Sequence, residues 1–402
     1  MKQTINLALI GLGQRGAGLL GVSILAQPEI RVVAVCDVYE DRQKAAAQKV
    51  VDAGQPEPAM YADYRDVLER DDVEAVLISA AWEAHVDLAC AAMKAGKITA
   101  LEVGGGYSVD DCWRLVRVYE ETLTPFMFME NCCYGRNELM VTNMVRQGLF
   151  GEVVHCRGGY CHDLREEISN GREMRHYRFQ NYLLRNCENY PTHELGPICN
   201  VLDVNRGNRM VSLCSMASKS AGLHRYLLDQ KGADYDASNW HFQQGDVVTT
   251  MIKCARGETI CMTLDTTLPR AYSRCFEVHG SKGLYMEDSN SVFLDGNFDH
   301  EKHVRDYQNN AEEYREEYDH PIWKKFLSDG VKGGHGGMDW LIMRAFVDAV
   351  LAGDPMPIDV YDAAAWMSIT ALSEQSIAMG GMPVAIPDFT NGKWLRREPW
   401  NP

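Results

Sequence analysis

The stretch Ile5 to Asp37 constrains this chain more than any other. A short apolar run, Ile5 to Ile10, leads straight into Gly11-Leu12-Gly13-Gln14-Arg15-Gly16, and Ala17 to Ala26 then follows with helical spacing. A second β-branched run, Ile30 to Cys36, ends in Asp37, twenty-one residues beyond Gly16. Strand, glycine turn, helix, strand and acid at that distance describe the first half of a dinucleotide fold. Bare backbone at Gly11, Gly13 and Gly16 lets a pyrophosphate approach a helix N-terminus whose free N–H groups carry partial positive charge. Asp37 then accepts from ribose hydroxyls, and its charge opposes a 2′-phosphate, so NAD is expected rather than NADP.

More βα units follow. Ala75 to Ser79 precedes a helix from His85, Ile98 to Val103 precedes a helix from Ser108, and Pro125 to Met129 runs into Glu130-Asn131. The pattern predicts a parallel, doubly wound sheet. Ligands in such sheets sit beyond the carboxyl ends of the strands, which puts Trp82, Glu83, His85, Glu102, Val103 and Asn131 on the cofactor side. Each of them alone is equally explained as a loop or cap residue.

With 402 residues the chain has room for a second core, and its texture changes near residue 150. Glu152 to Tyr160 reads as a strand. Val247 to Cys254 and Glu258 to Thr267 read as an antiparallel hairpin turning at Ala255-Arg256-Gly257, and Arg274 to Gly280 and Gly283 to Met286 add shorter strands. Helices are expected at Glu194 to Val204, Met338 to Ala352 and Tyr361 to Met379. The fold class expected is therefore α/β followed by α+β: residues 1–130 form a Rossmann domain, and residues 131–402 form a substrate-binding and oligomerisation domain on an open-faced, mainly antiparallel sheet. Residues 161–192 and 297–336 are polar and irregular, the kind of excursion that builds a site.

Composition excludes several classes. Forty Lys and Arg against fifty-six Asp and Glu give a net charge of −16, a field that repels phosphate backbones, so nucleic acid is not expected as a partner. Thirteen cysteines lie scattered without the spacing of a disulfide framework, which suits a reducing cytoplasm. The N-terminal residues lack a leader pattern, and no apolar run is long enough to span a bilayer, so no membrane partner is expected.

Three clusters carry titratable groups. In Arg185 to Pro197, Thr192 is a candidate N-cap that leaves His193 in the first helical turn, with Tyr190 three residues earlier and close enough to share a proton. Tyr160 to Glu167 contains His162, and Gly333 to Trp340 contains His335. Both segments offer polar groups to one cleft. The plain alternatives are a proline-started helix with a buried histidine, and a glycine-rich turn. Histidines 162, 193 and 335 lack the close spacing of a metal site, so no metal is expected.

Taken whole, the chain resembles the glucose-fructose oxidoreductase and inositol dehydrogenase (Gfo/Idh/MocA) family, and within it glycoside hydrolase family 109, the NAD-dependent α-N-acetylgalactosaminidases and relatives. The match rests on Gly11 to Gly16, Glu102-Val103, Tyr190-Pro191-Thr192-His193 and His335-Gly336-Gly337-Met338-Asp339. The resemblance implies NAD contacts at Gln14, Arg15, Asp37, Trp82 to His85, Glu102, Val103 and Asn131. It implies sugar contacts at Tyr160, Arg178, Tyr190, His193 and Tyr272. Two departures set the chain apart from dehydrogenases of that superfamily: their glutamate-lysine-proline reads Glu102-Val103-Gly104, and their aspartate four residues before the histidine is Asn189.

What the resemblance implies is a glycosidase in which NAD oxidises C3 of the sugar transiently, C2 is deprotonated, the aglycone is eliminated, water adds at C1 and C3 is reduced again, with no net redox change. His193 is expected to take the C2 proton and Tyr190 to lie nearest the C3 hydroxyl, with an exchange of these two roles left open. The competing readings are an NAD-dependent sugar oxidoreductase with exchangeable cofactor, and a catalytically silent NAD-binding partner subunit. A homodimer or homotetramer is expected.

Overall fold

The computed structural model describes residues 3–331 and 333–402, and these form two sheets in two compact units. The first unit takes the chain up to Tyr134 together with Phe326–Met367 and Asn401–Pro402, and the second takes Gly135–Lys325 and Ser368–Trp400. The division is thus not a single cut near residue 130. The chain returns to its first unit after completing most of the second.

The first sheet contains β1 (Ile5–Ile10), β2 (Ile30–Cys36), β3 (Ala59–Tyr61), β4 (Ala75–Ile78), β5 (Ile98–Leu101) and β6 (Phe126–Phe128). Its order is β3-β2-β1-β4-β5-β6 and every pairing is parallel. Strands of a parallel sheet covered on both faces run nearly continuously apolar, and Leu7, Leu9, Val76 and Ile78 are accordingly all buried. The order in which strands are added reverses between β1 and β4, so the crevice of a doubly wound sheet opens beyond Ile10 and Ile78. Helix Val109–Thr122 starts where Ser108 Oγ accepts from the Asp111 N–H at 3.0 Å.

The second sheet contains β7 (Val153–Cys161), β8 (Met210–Ala217), β9 (Val247–Cys254), β10 (Thr259–Asp265), β11 (Glu277–Gly280), β12 (Gly283–Met286), β13 (Ser291–Leu294) and β14 (Val384–Ala385). Its order is β13-β12-β11-β7-β10-β9-β8-β14. Only the β7–β10 pair is parallel among the described residues. On β9 burial alternates strictly: Val248, Thr250 and Ile252 are buried, while Thr249, Met251 and Lys253 are exposed, as in a sheet with one open face. Helix Thr192–Val201 packs against β7, and Gly158 is what admits it, since a methyl there meets Glu194 Cγ at 2.2 Å.

Two local expectations change. Thr192 is the first helical residue rather than the N-cap: Pro191, with φ −74° and ψ −22°, is already in helical conformation and occupies the cap without a side-chain hydrogen bond. The strand expected from Arg274 begins only at Glu277, because Cys275 has φ +52°, a left-handed conformation that interrupts pairing. The irregular stretches also contain short helices, Arg165–Ser169, Arg178–Leu184, Arg315–Tyr318 and Pro321–Ser328. Among the described residues no helix is long and apolar enough to cross a membrane.

Candidate active site

In the first unit the glycine turn is built for close approach. Gly11 has φ +92°, and a methyl there falls 2.4 Å from the Ala80 nitrogen; a methyl on Gly16 falls 2.1 Å from the Gly11 carbonyl oxygen. The turn therefore lies flat on the end of β4, with the Ser79 hydroxyl donating to the Gly11 carbonyl at 2.7 Å. Gly13 caps helix Gln14–Leu19 in extended conformation without a capping side chain, which leaves space at the helix start. Asp37 closes the far side. Its carboxylate accepts from the Leu12 N–H at 2.7 Å and the Tyr39 N–H at 3.0 Å, with Arg42 Nη1 at 3.8 Å. This donor set fits a dinucleotide: unobstructed backbone for the pyrophosphate and a fixed acceptor for the ribose.

Arg15, Glu102 and Asn131, expected at the cofactor, are joined here around Asp339. Arg15 donates to both Asp339 oxygens, at 3.0 and 2.8 Å, and to Glu102 Oε1 at 3.0 Å. Asn131 Nδ2 donates to Asp339 Oδ1 at 2.8 Å, and His335 Nδ1 lies 2.6 Å from Asp339 Oδ2. Burial opposes charge on Asp339, yet the hydrogen bonds from His335 and Arg15 hold it well below the ordinary carboxylate range. Burial also opposes charge on Arg15, and Glu102 and Asp339 outweigh it, so Arg15 is raised. His335, expected at the sugar, thus belongs to the first unit with this network. Asp339 was not among the expected site residues. Its signal was an acid four residues after His335, in the first turn of helix Met338–Ala352.

Glu83 is exposed on the turn Trp82–Ala84, and Gln14 begins the glycine-turn helix. Trp82 and Val103 are buried. His85 is buried too, with Nδ1 3.0 Å from the Gly104 carbonyl and Nε2 2.9 Å from the Ala80 carbonyl. Both ring nitrogens are occupied, so His85 pins two loops together. A methyl on Gly104 lands 2.5 Å from the Trp82 indole nitrogen, which explains a glycine after Glu102-Val103.

The second unit brings together six of the expected residues. Tyr160 is the penultimate residue of β7, Arg178 begins helix Arg178–Leu184, and His193 lies in the first turn of helix Thr192–Val201. Tyr190 Oη is 3.2 Å from His193 Nε2, with the rings edge-on at 4.7 Å. Tyr160 packs on Tyr190 at 4.4 Å between centroids, and its hydroxyl is 3.2 Å from His162 Nδ1. Tyr272, 51% exposed, meets His162 edge-on at 5.0 Å. The Arg178 guanidinium sits 5.0 Å above the Tyr190 ring, with Nε 2.9 Å from Glu167 Oε1.

The electrostatics favour a cationic Arg178 beside a neutral His162. Burial opposes charge on Arg178, but the phenols of Tyr177, Tyr160 and Tyr190 and the Glu167 carboxylate hold it well above its ordinary value. Burial, reinforced by Arg178, lowers His162, which favours the neutral imidazole. Asn189, the departure from aspartate, donates to Gln244 Oε1 at 3.1 Å. Polar hydroxyl, imidazole and guanidinium groups converging on aromatic faces can hold a sugar and pass protons to and from it. Glu167, missed from the sequence, is the counter-ion of Arg178, and its signal was only the acidic helix after Asp163.

Residues 134–396 match the family profile described as "Glycosyl hydrolase 109, C-terminal domain", and residues 5–127 match "Oxidoreductase family, NAD-binding Rossmann fold". The chain is 39% identical over 418 residues to an alpha-N-acetylgalactosaminidase of Tannerella forsythia, covering 98% of this chain and 88% of the relative. It is also 39% identical over 419 residues to a glycosyl hydrolase family 109 protein of Stenotrophomonas maltophilia (strain K279a), covering 98% and 91%. Among solved structures it resembles levoglucosan dehydrogenase in complex with NADH and levoglucosan, with TM-score 0.69, 17% identity and coverage of 96% and 100%. It likewise resembles myo-inositol 2-dehydrogenase from Lactobacillus plantarum, with TM-score 0.68, 17% identity and the same coverage. At such identity the two structures speak to fold alone.

Proposed function

The chain belongs to glycoside hydrolase family 109 and is a glycosidase with an NAD-binding Rossmann domain; from that premise we propose that it cleaves its substrate through transient oxidation at C3 and elimination across C1 and C2. The substrate class proposed is a terminal hexoside with a free C3 hydroxyl, and the α-N-acetylgalactosaminide named for the Tannerella relative is the first to try. The observation that carries the reading is the Tyr190–His193 pair, 3.2 Å apart, beside a buried arginine whose counter-ion is Glu167.

Gly11, Gly13, Gln14, Gly16 and Asp37 hold the cofactor in this reading, with Trp82, Glu83, Val103 and Asn131 bordering its nicotinamide end. Bound NAD supplies one thing, the reversible oxidation of the C3 hydroxyl to a ketone. The side chains supply proton handling. Tyr190 faces the C3 oxygen and exchanges its proton with His193 Nε2, so a proton taken at one atom of the sugar leaves through the other residue. His193 removes the proton from C2, which a C3 carbonyl makes acidic. Arg178 holds negative charge developing on the C3 oxygen through its fixed position over Tyr190. Tyr160, His162 and Tyr272 form the wall on which the sugar ring packs.

One positioned acid or base contributes about 10²- to 10⁴-fold, which is small beside the total acceleration of about 10⁶-fold or more that enzymes reach. A tyrosine and a histidine therefore do not suffice alone, and in this reading the C3 carbonyl supplies much of the difference by making C2 acidic. The test is an incubation of purified protein with chromogenic α- and β-hexosides, with and without added NAD. Release of aglycone that depends on NAD, with no accumulation of reduced nicotinamide, is expected. Stoichiometric accumulation of NADH on free sugar overturns the reading in favour of a net oxidoreductase.

A further inference from the structure

Cys161 lies between Tyr160 and His162, and Cys275 lies three residues beyond Tyr272. Their sulfurs are 3.7 Å apart. The two segments are already joined as backbone neighbours: the Cys161 N–H donates to the Ser273 carbonyl at 3.1 Å and the Ser273 N–H returns to the Cys161 carbonyl at 2.9 Å. Both thiols are free and buried, Cys161 at 1% and Cys275 at 5% exposure. The proposed chemistry uses neither.

Three features single this pair out from the other cysteines. Cys275 is held at φ +52°, which a non-glycine residue adopts only under constraint. Ser273 Oγ lies 3.4 Å from Cys275 Sγ, accepts from the Cys275 N–H at 2.9 Å, and sits 2.5 Å from Asp288 Oδ1, so one hydroxyl fixes the thiol's position. The facing Cys161 thiol, hydrogen-bonded to Cys275, holds Cys275 below the ordinary thiol range, while Cys161 itself is raised by the same contact and by burial. A thiolate facing a thiol is the arrangement that thiol oxidation selects.

We propose that Cys161 and Cys275 are a peroxide-reactive thiol pair that closes to a disulfide beneath the aromatic cluster and thereby disarms it. The step balances. The Cys275 thiolate attacks one peroxide oxygen, forming S–O and breaking O–O, and the departing hydroxide takes a proton to leave as water. Cys161 then attacks the Cys275 sulfur and gives up its proton; S–S forms, S–O breaks, and a second water leaves. Two thiols and one hydrogen peroxide give one disulfide and two waters. The sulfurs must approach from 3.7 Å to about 2.05 Å. That movement draws the segment bearing Tyr160 and His162 toward the one bearing Tyr272. The loss of activity rests on the proposal that these three side chains form the sugar wall, whereas the thiol chemistry does not.

The experiment treats the reduced, NAD-loaded, full-length protein with hydrogen peroxide and follows peptide maps and cleavage of a chromogenic α-N-acetylgalactosaminide in parallel. The expected result is a linked Cys161–Cys275 peptide, activity falling about tenfold as it accumulates, and recovery of both on adding dithiothreitol. Cys275→Ser should give no linked peptide and keep its activity under the same peroxide. No linkage in the treated parent overturns the proposal without recourse to any variant. Linkage with unchanged turnover overturns its effect on the site. A reduced protein that cleaves no glycoside at all sinks the proposed function, and the peptide map still decides the thiol pair.

Discussion

Tyr190 Oη and His193 Nε2 stand 3.2 Å apart across the start of a helix, held by a cap that is proline rather than a hydrogen-bonding side chain. Proline's fixed φ orients Tyr190 and His193 with little conformational freedom left to lose. In the proposed mechanism the two act as one proton-sharing unit, so Tyr190→Phe and His193→Ala should each lower kcat by about 10²- to 10⁴-fold. The double variant should fall no further than the worse single one, since either change already breaks the exchange. Steady-state kinetics on the NAD-loaded proteins, with melting curves to establish folding, check this. Parent-level turnover in either single variant would falsify the pairing.

Glu188 shows how burial alone writes a pH dependence into this segment. Its carboxyl is 1% exposed and faces no cationic side chain that shifts its titration. Burial pushes it up to about 8, and the Tyr190 backbone N–H offsets this only in part. A carboxyl raised in the fold leaves stability intact below its unfolded value, near 4.5. Stability is then lost as pH rises from there through about 8, because the unfolded chain ionises first. Glu188→Gln, neutral at every pH and similar in shape, should melt with the parent at pH 4.5 and above it at pH 8. Equal melting temperatures at both pH values would remove the argument.

On the proposed reading Asp37 serves two purposes, and they separate by substitution. It accepts from Leu12 and Tyr39 backbone N–H groups, which fixes the glycine turn, and its charge opposes a 2′-phosphate. Asp37→Asn keeps one acceptor oxygen and removes the charge. NAD affinity should fall by about one order of magnitude, the scale of one charge-assisted hydrogen bond, and discrimination against NADP should fall with it. Titration calorimetry with both dinucleotides reads the outcome. With Arg42 only 3.8 Å from the carboxylate, NADP binding should gain more than NAD binding loses if this account is right.

Much of this was legible in the chain. The strand, glycine turn and acid from Ile5 to Asp37 were readable because a buried parallel strand is a nearly unbroken apolar run and a turn packed this closely on a neighbouring strand needs glycine. Tyr190 and His193 were readable because their contact is local. β8, Met-Val-Ser-Leu-Cys-Ser-Met-Ala, was not, since little in it is β-branched and its pairing with β9 decides its conformation. Nor was Asp339 as the partner of Arg15, 324 residues away, because sequence spacing is silent about contacts at that separation. The His335–Asp339 contact was local enough to read, but that their segment returns to the first unit was not.

The Asp339 network therefore predicts a stability effect where the sequence had suggested ligand contact. Asp339 is 1% exposed and receives Arg15 through two hydrogen bonds. Asp339→Ala leaves Arg15 facing Glu102 alone and strips Asn131 of its acceptor. Breaking one partner of a buried pair costs about 3–5 kcal/mol, and with the Arg15 side chain 32% exposed the lower end applies. The carboxyl is held below its ordinary value, so its contribution is present above about pH 4 and lost on acidification. The gap between parent and variant in urea unfolding should thus be wide at pH 7 and narrow steadily toward pH 2.

The last prediction follows the C2 proton. A hydrolase working through two carboxylates displaces at C1 and leaves every ring C–H bond intact. The proposed elimination across C1 and C2 breaks the C2–H bond and passes the proton to His193, whose ring is half-buried rather than sealed and whose Nε2 lies 3.2 Å from the Tyr190 hydroxyl. A proton held there exchanges with water before C2 is reprotonated. Product formed in D2O should accordingly carry about one deuterium, located at C2, and a substrate deuterated at C2 should be cleaved more slowly than its protiated twin. A substrate methylated at the C3 oxygen should not be cleaved at all, since no ketone can form to acidify C2. Mass spectrometry and proton spectra of the released sugar read all three, and product without deuterium would leave Tyr190 and His193 serving an ordinary displacement.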